Sequence, residues 1–177
     1  MKQIYRHALL TLLLGATCAT AEATTGYIIN EDFSGFTDIT YATTSKNGWT
    51  LNRCNHSGGA YTKMLYFGDE NNGRSSATTP AFTSPTETCN AVMTFRYSNT
   101  NGNRASFTVK INNGGTFPDG TTIWTKEITS KSNTFKSTTL KLKGVNGHTT
   151  INLTMKNTRG DAVGGGRRTP KRHLRKV

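Results

Sequence analysis

Apolar and polar residues alternate along most of this chain with a period of two. In residues 105–111, Phe107, Val109 and Ile111 alternate with serine, threonine and lysine. Similar extended patterns recur in residues 27–29, 48–51, 61–67, 91–97, 123–128, 135–142 and 151–155. Glycine, asparagine, aspartate or proline bounds each segment, which is typical of strands separated by turns. No segment of the body keeps a 3.6-residue apolar period long enough for a helix.

This alternation is typical of antiparallel sheets that have one face in water. Roughly eight or nine strands in about 135 residues is the proportion of a two-sheet sandwich. The sequence therefore predicts an all-β fold, a two-sheet antiparallel β-sandwich of jelly-roll type. On such a fold we expect ligands to bind at the irregular loops, chiefly residues 37–47, 52–60, 69–76 and 112–122.

The first 21 residues follow a different pattern. Two basic residues precede an apolar run over residues 8–16, and small residues follow at Ala19 and Ala21. This is the plan of a secretory signal peptide, with cleavage expected after Ala21 or Ala23. The apolar run is too short to span a bilayer, and no later segment is long and apolar enough to do so. We therefore expect the protein to be secreted or held at the cell surface.

The three cysteines extend this interpretation. Cys18 lies in the leader, where lipidation is an alternative to free secretion that we consider less favoured. Cys54 and Cys89 remain in the body, and an even pair in an exported chain predicts a disulfide. Two free thiols are the alternative, because spacing along the chain does not reveal whether the side chains meet.

Charge divides the chain into three parts. The net charge of +12 comes largely from the leader and from a tail that holds six basic residues, Arg167, Arg168, Lys171, Arg172, Arg175 and Lys176. We therefore divide the chain into a leader (1–21), a sandwich domain (22–163) and a disordered basic tail (164–177). The body is close to neutral, which is not the footprint of a domain that binds nucleic acid specifically. The tail could bind anionic surfaces, but its composition favours an extension without a selected role.

The body offers little catalytic chemistry. Its only histidines are His56 and His148, and no Gly-x-Ser-x-Gly motif surrounds a serine. Large aromatic residues could form a platform for sugar rings, although core packing is the favoured role in a chain with few leucines. The aromatic residues considered are Trp49, Tyr61, Tyr66 and Trp124. We expect a protein that is not an enzyme.

Several short motifs follow one another in a characteristic order. They are Glu31-Asp32-Phe33, Gly48-Trp49, Thr79-Pro80, Thr94-Phe95-Arg96-Tyr97 and Val109-Lys110-Ile111. Their order resembles that of secreted bacterial jelly-roll modules of the cleaved-adhesin and choice-of-anchor type, which are related in architecture to carbohydrate-binding modules and MAM domains. The resemblance covers roughly residues 28–161.

The resemblance implies a structural calcium ion held between the acid of the first strand and an aspartate beside the last strand. The matching residues are Glu31 and Asp161. Calcium binds hard oxygen ligands, and loop carbonyls can complete such a site. The chain departs from the pattern after Asp161, where glycines and the basic tail replace an apolar strand.

The resemblance and the leader together predict an exported, non-catalytic binding or adhesion module. Its ligand would be a glycan or a cell-surface molecule, recognised by loops on the sandwich. The alternative is a structural or accessory subunit of a surface assembly, whose ligand is another protein.

Overall fold

Twelve β-strands and no helix make up the residues that the computed structural model describes, which are 8–17, 25–36, 43–55, 64–67, 74–82, 87–99, 104–129 and 132–158. In chain order the strands are β1 (Ala8–Thr17), β2 (Thr25–Glu31), β3 (Thr44–Lys46), β4 (Trp49–Asn52), β5 (Cys54–Asn55), β6 (Leu65–Phe67), β7 (Arg74–Thr78), β8 (Cys89–Asn99), β9 (Arg104–Asn112), β10 (Ile123–Ile128), β11 (Ser132–Val145) and β12 (Thr150–Thr158). The predicted all-β class is confirmed.

The strands form two sheets of six strands each within the described residues. The first sheet has the order β11-β8-β1-β6-β5, and β2 also pairs with β1. The second sheet has the order β10-β9-β12-β7-β4-β3. Every strand pair is antiparallel.

Aromatic side chains join the two sheets into one core. The ring of Phe107 on β9 lies 5.3 Å from Phe95 on β8 and 6.3 Å from Phe67 on β6, measured between ring centroids. Trp124 on β10 packs edge-on against Phe95 at 6.1 Å. The edge-on pairs Phe67–Phe107 and Phe95–Trp124 add to the free energy of burial, because the edge of one ring faces the electron-rich face of the other. The predicted two-sheet sandwich is confirmed, whereas the jelly-roll connection remains a prediction.

The alternation in the sequence corresponds to the burial of each face. On β9 the residues at 105, 107, 109 and 111 are buried, and those between them are half-buried or exposed. On β12 the buried residues Ile151, Leu153 and Met155 alternate with half-buried threonine and asparagine. Burying one face of each strand against the other sheet supplies the main stabilising free energy of the fold.

A two-residue turn joins β3 to β4. Its residues Asn47 and Gly48 have φ angles of 51° and 78°. Positive φ at both central positions is the geometry of the type I′ turn, which matches the twist of paired strands. The turn delivers Trp49 into the core, where 1% of its surface is exposed.

The predicted leader overlaps the first sheet. Residues 8–17 form β1, which lies between β8 on one side and β6 and β2 on the other. The expected cleavage points, Ala21 and Ala23, lie outside the described residues, as does the basic tail at 164–177.

Candidate functional site

Glu31 ends β2 and caps the turn that follows. Its Oε1 accepts a hydrogen bond from the backbone N–H of Phe33 at 2.6 Å, and Asp32 Oδ1 accepts one from Ser34 N–H at 2.9 Å. Burial raises the pKa of the Glu31 carboxyl above its ordinary value, and the bond from Phe33 opposes part of that shift. Glu31 is level with Leu12 of β1, which is itself level with the buried Phe95. This register explains why a carboxylate at the edge of the sheet is partly desolvated.

The turn after Glu31 is anchored by aromatic packing. Phe33 has a φ of 58°, which is uncommon for a residue with a side chain. Its fully buried ring contacts Phe36 at 5.3 Å and Trp49 at 5.2 Å, both edge-on. These contacts offset the backbone cost of about 1–3 kcal/mol. The turn therefore fixes the position of the Glu31 carboxylate.

Only one of the two predicted calcium ligands lies within the described residues. Glu31 occupies the position just described, and Asp161 lies outside the described residues. Within the described part of the chain, no group of three or more histidine, cysteine, aspartate or glutamate side chains could hold a metal ion. Calcium binding at Glu31 and Asp161 stays a prediction.

The predicted disulfide between Cys54 and Cys89 is not formed. Both residues are buried, and neither is joined in a disulfide. Cys54 on β5 is level with Phe67, which is level with Ala8 and then with Asn99 on β8. Cys89 lies at the other end of β8, ten residues from Asn99, or roughly 33 Å along the strand. A disulfide needs Cα atoms within about 7 Å, so this register separates the two thiols.

Cys54 is held as an unreactive thiol. Its Sγ donates to the backbone carbonyl of Ser76 at 3.2 Å. Burial raises the pKa of the Cys54 thiol to about 12. The thiolate is the reactive form of cysteine, so Cys54 is a packing residue at neutral pH.

The large aromatic residues serve the core. Trp49 and Tyr66 are buried, with 1% and 5% of their surfaces exposed. Trp124 is half-buried against Phe95, and Tyr61 lies outside the described residues. Core packing, the favoured role in the sequence, is confirmed for Trp49 and Tyr66.

The outer side of the second sheet carries an extended polar surface. One row across its six strands consists of Ile123, Lys110, Asn152, Thr78, Thr50 and Ser45. The next row consists of Thr125, Thr108, Thr154, Ser76 and Asn52. We define the polar face as the nine uncharged polar residues of these rows: Ser45, Thr50, Asn52, Ser76, Thr78, Thr108, Thr125, Asn152 and Thr154.

Hydrogen bonds between neighbouring side chains order this polar face. Asn152 Nδ2 donates to Thr78 Oγ1 at 2.8 Å, and Thr154 Oγ1 donates to Asn152 Oδ1 at 2.9 Å. The hydroxyls of Thr108 and Thr125 lie 3.3 Å apart on adjacent strands. Hydroxyl groups retain both donor and acceptor capacity, so the polar face can still bond to a ligand.

Charged residues border the polar face at one end. A third row holds Glu127, Ser106, Lys156 and Arg74. At the opposite corner Ile123 exposes 53% of its surface. The polar face is thus an uncharged surface with three basic side chains (Lys110, Lys156 and Arg74), one acidic side chain (Glu127) and one apolar side chain (Ile123) at its margins.

The sequence indicated the parts of this polar face but not their assembly. The alternating threonine, serine and asparagine positions of β9 and β12 are visible in the sequence. Their alignment across six strands depends on register, which the pattern of one strand does not specify. The expected loop sites are described only in part, and the loop at 112–122 is closed by its own bonds, including Phe117 N–H to Thr121 O at 2.7 Å.

Of the two body histidines, His148 is exposed in the turn between β11 and β12. Its backbone N–H donates to Asn146 Oδ1 at 2.8 Å. His56 lies outside the described residues. The expectation that this protein is not an enzyme stays a prediction.

Comparisons with other proteins leave the resemblance to adhesin-type modules as an expectation. No family model matches the chain, and no curated protein or solved structure shows significant similarity to it. Among the described residues, the structure has no helix of the length and apolarity that crossing a membrane requires.

Proposed function

We propose that this protein is an exported, non-catalytic binding module that recognises a glycan or a glycan-bearing cell surface. The observation that carries the proposal is the polar face, whose nine hydroxyl and amide side chains occupy two register rows. Sugars present hydroxyl groups that both donate and accept hydrogen bonds, as threonine and serine hydroxyls do. The ligand site is then a sheet face rather than the loops expected from the sequence.

The spacing of the polar face suits an extended ligand. Neighbouring strands lie about 4.8 Å apart, and side chains on one face repeat about every 7 Å along a strand. A polymer lying across the strands can therefore bond to several rows at once. Lys110, Lys156 and Arg74 at the margin would favour a glycan that carries negative charge.

The export part of the proposal rests on the leader pattern in residues 1–21. It predicts a secreted or surface-held protein. Outside the cell even a low-affinity calcium site at Glu31 and Asp161 would be occupied, because extracellular calcium is abundant. The mass of the exported protein tests this directly. A mature form that begins at Glu22 or Thr24 supports the proposal, and an acylated Cys18 at the new N-terminus would show the lipid anchor instead.

The glycan proposal is tested by removing hydroxyls from the polar face. Thr108 and Thr154 are level with each other on adjacent strands. The double variant Thr108→Val, Thr154→Val keeps the branched shape that strands favour but deletes two hydroxyls. Two hydrogen bonds are worth roughly 1–3 kcal/mol, so we expect at least about a fivefold loss of glycan affinity. Glycan arrays followed by calorimetry on the best hit measure it.

A matched control exists on the other sheet. Thr94 and Thr139 are also level with each other, and their hydroxyls lie 3.1 Å apart on the outer side of the first sheet. The variant Thr94→Val, Thr139→Val makes the same chemical change away from the polar face and should bind with unchanged affinity. Equal losses in both variants, or no saturable glycan binding by the parent protein, would refute the proposal.

One observation favours the alternative function, a subunit of a surface protein assembly. It is the position of β1 inside the first sheet, because a sheet that loses this strand could accept a strand from another protein in its place.

A further inference from the structure

The first sheet contains a strand whose removal would split it. Residues 8–15 of β1 pair with β8, from Ala8 level with Asn99 to Gly15 level with Val92. On its other side, residues 8–10 pair with β6 and residues 12–17 pair with β2. No direct pairing joins β8 to β2 or β6. β1 is therefore the only strand in the described residues that connects β11 and β8 to the rest of this sheet.

The same residues form the apolar part of the leader. Both expected cleavage points, Ala21 and Ala23, follow β1 and precede β2 at Thr25. Cleavage would release β1 and leave a gap of about two strand spacings, roughly 10 Å, between β8 and its former neighbours. We call this gap the strand slot, bounded by β8 on one side and by β2 and β6 on the other.

The strand slot has an apolar floor and two backbone edges. Met93 and Phe95 of β8 and Leu65 and Phe67 of β6 are fully buried when β1 is present. Without β1, backbone N–H and C=O groups along its neighbours would lose their ladder partners. An exposed apolar surface flanked by unpaired strand edges is a template for another strand.

The sequence after β12 is poorly suited to fill the strand slot. It contains Gly164, Gly165, Gly166, Pro170 and seven lysine and arginine residues. Glycine, proline and runs of like charge disfavour a strand with an apolar environment on one side. These residues therefore do not favour filling the slot from the tail, and a copy of this chain that has lost its leader would lack the segment that fits, which favours an occupant from another protein.

We propose that the mature protein binds, in the strand slot, an extended uncharged segment of about ten residues from another exported protein, antiparallel to β8. This inference rests on the proposed export, since only leader removal opens the slot. The segment Ala8–Thr17, ALLTLLLGAT, shows the chemistry required: no charge, predominantly apolar side chains and backbone groups for both edges. Main-chain bonds would supply affinity, and alternate side chains would supply specificity.

The test uses the full chain with a specific protease site inserted between Ala21 and Glu22. The folded protein is cut, and native mass spectrometry shows whether the leader fragment stays bound without a covalent link. The probe is a labelled synthetic peptide of residues 6–18 with Cys18→Ser, which should exchange into the cut protein with saturable binding. A fragment that dissociates while β8 amides keep their hydrogen-exchange protection would overturn the proposal, because the sheet would then close without it.

Two peptide variants separate strand insertion from apolar adhesion. Leu12 is level with the buried Phe95, and Leu13 is level with the half-buried Thr94. Leu12→Asp puts a charge at the register position of the fully buried Phe95, where a charge is costly, whereas Leu13→Asp puts it at the register position of Thr94. We expect at least a tenfold loss of affinity for Leu12→Asp and less than threefold for Leu13→Asp. Equal losses would overturn the proposal.

A cross-link in the uncut chain checks the register independently of folding after the cut. With Cys18→Ser, the pair Leu13→Cys and Thr94→Cys should form a disulfide, because the two positions are adjacent across the ladder. Leu13→Cys with Thr139→Cys is the control, since Thr139 lies one strand further away, opposite Thr94. Cross-linking of both pairs, or of neither, would overturn the proposal.

The cut protein is also tested by refolding where removal of the fragment unfolds it. Refolding on addition of the parent peptide supports the proposal, and failure to refold overturns it.

This test and the glycan test fail independently. The polar face is on the second sheet, and glycan binding is measured on the uncut chain. Loss of glycan binding in all forms would refute the proposed ligand but not the slot. Exported protein that retains residues 1–21 would refute the slot, whereas the glycan result would stand.

Discussion

The two sheets of this protein differ in where their central strands come from. The second sheet is built from residues 44–158, and its central strands β9, β12 and β7 all lie in the body of the chain. The first sheet places β1, from the leader-like segment, at its centre. One sheet is therefore complete without the leader, and the other is not. Under the two proposals above, the second sheet would carry its binding surface at all times, and the first sheet would gain one only after the leader is removed.

The two sheets still share a core, which sets a limit on their independence. Phe107 of the second sheet contacts both Phe95 and Phe67, which flank β1 in the first. Loss of β1 would therefore expose apolar surface that the second sheet also uses. We therefore expect these ring contacts to couple the stabilities of the two sheets.

The largest effect is expected from cutting this link with Phe107→Ala. The ring is buried, with 1% of its surface exposed. Replacing such a ring by alanine costs about 3–5 kcal/mol, from lost burial and from the cavity left behind. Urea unfolding measures the change, and hydrogen exchange shows whether both sheets lose protection together, as a shared core requires.

The neighbouring residue provides the control for Phe107→Ala. Thr108 is half-buried on the polar face, so Thr108→Ala should cost under about 1 kcal/mol. If Phe107→Ala removed protection from the second sheet alone, the sheets would be energetically separate and the comparison would fail.

Strands with large inward side chains were predictable, and those with small ones were not. Residues 105–111 and 151–155 were expected as strands and lie within β9 and β12. By contrast, residues 69–76 were expected to be irregular, yet β7 begins at Arg74. The inward residues of β7 are Ser75 and Ala77, both fully buried, which show no apolar alternation. Small or polar inward residues leave no apolar alternation, so a hydropathy pattern cannot detect such a strand.

Register was the property that the sequence could not supply. The Asn47-Gly48 turn could have been recognised from its residues, because this pair favours positive φ at both positions. The Cys54–Cys89 pairing failed for a different reason: it required two cysteines at opposite ends of a sheet to be level with each other. The polar face likewise depends on which threonines are level across six strands. Pairing between distant strands is set by the whole sheet, not by any one segment.

An intermediate effect is expected at the loop that ties the second sheet to the first. The bridge between Thr116 and Lys143 joins the loop after β9 to β11. Gly115 in this loop has a φ of 90°, and an added Cβ would lie 2.9 Å from Val145 Cγ1 and 3.1 Å from the Lys143 carbonyl. Gly115→Ala therefore combines backbone strain with overpacking against the first sheet, and we expect a loss of roughly 2–3 kcal/mol in urea unfolding.

Gly120 isolates the contribution of backbone strain in the same loop. Its φ is 84°, but an added Cβ would meet nothing within 4 Å. Gly120→Ala should cost about 1 kcal/mol from backbone strain alone. Equal losses at the two glycines would show that contact with the first sheet adds nothing, and that the loop does not couple the sheets.

The smallest effect concerns Glu31, whose environment depends on β1 as its neighbouring strand. Burial raises the pKa of Glu31 above its ordinary value of 4.5, so the folded state favours the protonated carboxyl. The resulting stability is present below pH 4.5 and is lost as the pH rises through the raised pKa. Glu31→Gln keeps an oxygen acceptor for the Phe33 amide and should abolish this slope. Melting temperatures of both proteins in chelator between about pH 3.5 and 7 measure it.

Asp119 supplies a control of opposite sign. Bonds from the Thr121 amide and hydroxyl lower the pKa of Asp119, so the stability that this carboxylate contributes is lost as the pH falls.

Calcium should reverse the pH dependence of stability that Glu31 causes, because a bound cation lowers the pKa of its carboxylate ligands. The same melts with excess calcium should then show the parent protein gaining stability over Glu31→Gln as the pH rises. An unchanged pH dependence in calcium would refute calcium binding at Glu31. If the pH dependence without calcium persisted after release of β1, the first sheet would bury this carboxyl without its central strand.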